Sequence, residues 1–205
     1  LNNGVIDLPQ AYPGQQIALW WAGLLGYRYF VTWHKKTAFD WMRLERKERT
    51  ITLVGFAAHT LLFVFLGIII FVVAKISQNP AGAFPWFNRD VPLFILYYYV
   101  FPMMISFLVG ILVAIFAKGP LGYFVTLIVL FLMGPFGFDL LGTIGQFFPK
   151  GLQELLFQPL RLGYPLATKS VNAFYGMETG LRVFMLRVSL IGVCLLLIWC
   201  FGQLL

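Results

Sequence analysis

The run from Phe94 to Phe116 contains no charged residue. A helix rising 1.5 Å per residue needs about 20 apolar residues to cross the roughly 30 Å hydrocarbon layer of a bilayer. Three further runs come close to that length. Ile51 to Val73 has only Thr52, His59 and Thr60 as polar interruptions, Leu121 to about Phe138 follows Pro120, and Val183 to Leu205 is interrupted by Arg187 and Gln203. In hydrocarbon every backbone N–H and C=O must be satisfied within the chain, which selects helices. The expected fold is therefore all-α: a polytopic membrane helix bundle with about four transmembrane helices plus interfacial amphipathic helices. Composition agrees, at 60% hydrophobic and 11% charged, where soluble domains run near half apolar and a quarter charged. The expected organisation is a basic interfacial and cytoplasmic segment over 1–50, then a transmembrane domain over 51–205 containing an outer interfacial segment, 139–181.

Orientation follows from the Lys and Arg count of short loops. Residues 34–50 hold Lys35, Lys36, Arg43, Arg46, Lys47 and Arg49, whereas Ser77 to Val91 hold only Arg89. The first loop belongs in the cytoplasm, and four spans then place Lys118 and the C-terminal end inside and Asp139 to Leu181 outside. Arg182 and Arg187 fall at the outer end of the fourth run, a mild conflict that a polar cavity or snorkelling resolves. The net charge of +7 marks topology and anionic lipid rather than nucleic acid, because the cations cluster beside apolar runs.

Two stretches read as interfacial. Ile17 to Val31 is apolar but short, its Trp20, Trp21, Tyr27 and Tyr29 prefer the headgroup level, and Arg28 is costly at the bilayer centre. A surface-lying helix is the preferred reading over a fifth span. In the outer segment Leu152, Leu155, Leu156 and Leu160 recur at helical spacing, describing a second amphipathic helix. The first sixteen residues lack a basic n-region and a long apolar core, so no secretory signal is expected there.

No catalytic constellation emerges. His34 and His59 are too far apart for a helical metal motif, Ser106 and Ser189 lack a Gly-framed turn, and no Walker loop occurs. Neither metal nor cofactor is expected. Cys194 and Cys200, six apart, fall on different helix faces as packing residues. His59 lies about nine residues into its run, where an ionisable side chain is a functional candidate; the plainer reading is a neutral imidazole bonded to a neighbouring helix. Gly110 reads as a helix contact. Pro102 and the Gly134-Pro135 pair read as kinks or hinges, since proline strips a backbone hydrogen bond that something else must replace. With Arg187 these make up the candidate polar or hinge positions in the membrane. Trp41, Arg43, Arg46 and Lys47 lie in the basic stretch, which reads either as a headgroup anchor or as a docking face for a cytoplasmic partner.

The order of features resembles the membrane subunit of an ATP-binding-cassette exporter of the second permease type. A basic stretch leads directly into a first span (Arg43 to Val73), a Pro-containing second span follows (Tyr99-Val-Phe-Pro-Met-Met-Ile-Ser-Phe-Leu), then a Lys-Gly turn, a third span and an interfacial segment before the last helix. The resemblance implies a bacterial plasma-membrane permease working by alternating access. A separate cytoplasmic ATPase subunit and a second permease chain would be its partners, with Lys118 joining the cytoplasmic contacts. The rival reading is a non-catalytic structural subunit of a respiratory, photosynthetic or secretion assembly, packed against other membrane subunits.

Overall fold

Apolar runs of this length have one inexpensive way to satisfy their backbone, and the computed structural model takes it. It describes residues 8–33, 46–78, 90–135, 144–152, 160, 162 and 181–202, and among these there is no strand. The helices are α1 (Leu8–Trp33), α2 (Arg46–Gln78), α3 (Asp90–Ile95), α4 (Phe101–Phe116), α5 (Pro120–Met133) and α6 (Leu181–Gly202), with a π turn, Leu96–Val100, joining α3 to α4 and a single turn at Lys150–Leu152. The segments Leu96–Phe116 and Phe184–Phe201 are long and apolar enough to cross a membrane; Ala57–Ile70 and Pro120–Met133 are shorter apolar helices. Among the described residues, two of the four expected spans therefore combine the length and the apolar composition needed to cross a bilayer.

α4 is the axis of the assembly, and α1 lies along it. Gly23 and Gly26 of α1 face Gly110 and Phe107 of α4: a Cβ on Gly26 would strike the Phe107 carbonyl oxygen, and one on Gly110 the Gly23 carbonyl oxygen. Helices come this close in apolar surroundings only where small residues let the backbones touch. Ala18 and Ala22 continue the stripe on α1, and Ala114 continues it on α4; all three are buried. Gly110 is thus the helix contact that its sequence context suggests.

Pairings along the axis set the directions. Tyr29 meets Gly55 and His59, and Gly14 meets Ile70, so α2 runs antiparallel to α1. Trp20 bonds to Leu127 and Tyr27 to Gly119, making α5 antiparallel to α1 as well. Phe184 packs on Phe101 and Phe201 on Phe116, with centroids 5.9 and 5.0 Å apart, so α6 runs parallel to α4. One end of the bundle consequently gathers the start of α2, the α4–α5 turn and the end of α6. The other gathers the end of α2, the π turn, the end of α5 and the start of α6.

The stretch Ile17 to Val31 belongs to a 26-residue helix packed lengthwise on α4 and α5. The basic residues Arg46, Lys47 and Arg49 open α2 itself, a continuous 33-residue helix, while Trp41 and Arg43 lie outside the described residues. The amphipathic helix expected from Leu152 to Leu160 falls mostly outside them too.

Candidate functional site

Proline at 102 creates a local problem that the rest of the chain answers. Its ring crowds the carbonyl four residues earlier and it has no N–H to offer that carbonyl. The turn ahead of it widens, with Phe101 N–H donating to the Leu96 oxygen five residues back, the form in which π bulges interrupt α-helices. The Tyr98 carbonyl is then taken by Gln15 of α1, whose Nε2 donates to it at 2.8 Å. Pro102 therefore interrupts the hydrogen-bond ladder without ending the helix, and a neighbouring helix holds the freed carbonyl.

The end of α5 repeats the pattern. Pro135 has no N–H for Phe131, so Gly134 N–H donates there instead, at 3.2 Å. That leaves the Leu130 carbonyl, which accepts from Gln16 Nε2 at 3.1 Å. A Cβ at Gly134 would run into the Gln16 amide and push it from its bond to Leu130. The next carbonyl, Met133, accepts from Leu162 N–H at 2.8 Å, and the Leu162 carbonyl lies 3.5 Å from Gln15 Nε2. Two adjacent glutamines, 1% and 0% exposed, thus bind the carbonyls freed by two prolines, together with Leu162, into one buried polar layer.

Arg187 belongs to the same level. It follows Phe184, which packs on Tyr97 and Phe101, and is 3% exposed, within electrostatic range of Tyr98 of the π turn. Its side chain is buried among protein groups rather than exposed.

His59 lies elsewhere, at the junction of α1, α2 and α4. Its Nδ1 is 2.7 Å from the Gly55 carbonyl, and since a carbonyl only accepts, Nδ1 carries the proton. The expected bond to a neighbouring helix is replaced by one within α2, because aromatic rings occupy the facing surface: Phe107 at 4.9 Å, Tyr29 at 5.4 Å and Phe63 at 6.4 Å between centroids. Mid-helix, a side chain bonded to the carbonyl four residues back is satisfied without any cross-helix partner.

At the opposite end Tyr27 closes the α4–α5 turn. Its hydroxyl lies 3.0 Å from the Ala117 carbonyl and 2.9 Å from that of Gly119, and its ring sits 4.3 Å from Tyr123. Gly119 has φ +70, a conformation that L side chains strain to adopt. Lys118, between these anchored carbonyls, is exposed.

The structure therefore brings Pro102, Gly134, Pro135 and Arg187 to one level and leaves His59 and Lys118 at others. The residues that unite the set, Gln15 and Gln16, carry a signal in the sequence: two amides side by side in an otherwise apolar stretch. Among the described residues no three His, Cys, Asp or Glu side chains come together. No protein-family model, curated protein or solved structure matches this chain.

Proposed function

We propose that this chain is a multi-pass membrane subunit that serves a larger membrane complex through packing rather than chemistry. The observation that supports this reading is the pinning of both proline breaks by Gln15 and Gln16 of the same helix, which joins the positions best suited to hinge motion into one rigid layer. Around that layer α2, α5 and α6 expose large apolar residues, among them Phe65, Phe124, Leu196 and Trp199. Such surfaces suit acyl chains or partner helices.

A second reading, the permease subunit of an ATP-driven exporter in a bacterial plasma membrane, is favoured by one feature. The exposed Lys118 turn lies at the same end as the start of α2, where Arg46 and Lys47 stand. A soluble ATPase could bind that basic end. Mass spectrometry of the intact detergent-solubilised assembly tests both readings. Membrane subunits in stoichiometric amount support the packing role, and a Walker-motif ATPase with two copies of this chain supports the permease. The chain alone, with neither, removes both.

A further inference from the structure

We infer that α1 is itself a full transmembrane span, with the residues before Leu8 on the face opposite the basic 34–50 loop and Arg28 in the phosphate layer on the loop's side. The inference rests on the membrane reading of α4 above. Given that reading, α1 cannot stay at the surface, because its contacts run the length of the axis. Gln15 bonds at the π turn, Gly23 and Gly26 touch the middle of α4, and Tyr27 reaches the α4–α5 turn. From Leu8 to Arg28 there are twenty steps of 1.5 Å, about 30 Å, the thickness of the hydrocarbon layer.

Hydropathy averaged along the sequence conceals this span, because it counts Gln15 and Gln16 as if they faced lipid. Both are turned inward and donate to carbonyls of other elements, while the outward positions are Ile17, Trp21 and Val31. Arg28 ceases to be an obstacle for the same reason. Helix α1 begins at Leu8 rather than Ile17, so Arg28 sits near its end, adjacent to Tyr27 and level with Lys118. It is exposed, and its long side chain meets lipid phosphate there instead of the bilayer centre. Charge distribution agrees independently: residues 1–7, ahead of the span, contain Asp7 and no Lys or Arg, whereas 34–50 contain six, the asymmetry expected of an outer and an inner segment.

Accessibility labelling tests the inference. In full-length protein with Cys194→Ala and Cys200→Ala, single cysteines are introduced as Asn3→Cys (duplicated at Asn2→Cys), Thr37→Cys and Asn79→Cys, and intact cells are treated with a membrane-impermeant maleimide. The expected result is labelling at positions 3 and 79 without permeabilisation and at 37 only after it. Labelling of 3 in step with 37, while 79 reacts from outside, would overturn the span and leave the membrane reading of α4 intact. Labelling of 37 and 79 from one side overturns the membrane reading and the inference with it.

Discussion

Replacing Gly110 by alanine probes the contact on which the whole arrangement depends. The added methyl would meet the Gly23 carbonyl carbon and the Tyr27 nitrogen at 2.9 Å, with the Gly23 oxygen closer still. All three are backbone atoms, so relief requires α1 and α4 to separate rather than a side chain to rotate. Overpacking of this kind costs about 1–3 kcal/mol. Alanine also gains about 0.5–1 kcal/mol over glycine inside a helix, and a matched variant removes that term. Gly192 of α6 has nothing within 4 Å of an added Cβ, so Gly192→Ala should show the propensity gain alone. The difference between the two variants is then the steric cost, about 1–3 kcal/mol, or roughly 2–12 °C in thermal midpoint for a chain of this size. Thermal unfolding of both variants, followed by circular dichroism in one detergent, reads it directly. Equal midpoints would refute the backbone contact between α1 and α4.

Gln16→Leu strips the donor from the Leu130 carbonyl and should destabilise by about 1–3 kcal/mol, with hydrogen exchange at residues 131–134 accelerating; unchanged exchange would show that another group caps α5. Tyr27→Phe removes a hydroxyl that serves two carbonyls; we expect a loss of about 1 kcal/mol and faster exchange near Lys118 than near Leu130. Ser106 is fully buried and its Oγ finds no hydrogen-bond partner among the described residues. Ser106→Ala should accordingly be neutral or stabilise by about 1 kcal/mol, and a clear loss of stability in the unfolding assay would disclose a partner for that hydroxyl.

Helical class and approximate element positions were legible because they depend on local chemistry. Uncharged runs and Pro120 at a first turn mark where helices form whatever lies beside them, and the continuous segment from α3 through α4, with α5 and α6, falls within about five residues of the expected runs. Pro102 and Pro135 were legible as breaks because a missing N–H is a property of the residue itself. The six-residue spacing of Cys194 and Cys200 likewise put them on different faces; that Cys194 packs inside while Cys200 is exposed came from the structure.

Only the tertiary structure decided what repairs the breaks. Gln15 is 83 residues from Tyr98 in sequence and Gln16 is 114 from Leu130, separations at which no periodicity connects donor to acceptor. The place of α1 was hidden for the same reason, because a helix whose polar side chains point into a bundle and one whose polar side chains point into water share one average hydropathy. Arg28 and Arg187 show the two outcomes: both interrupt apolar runs, yet one is exposed beside the α4–α5 turn and the other buried beside the π turn. Residue type sets the free-energy cost of a charge in an apolar run, but the neighbours that relieve it are chosen by packing across the fold.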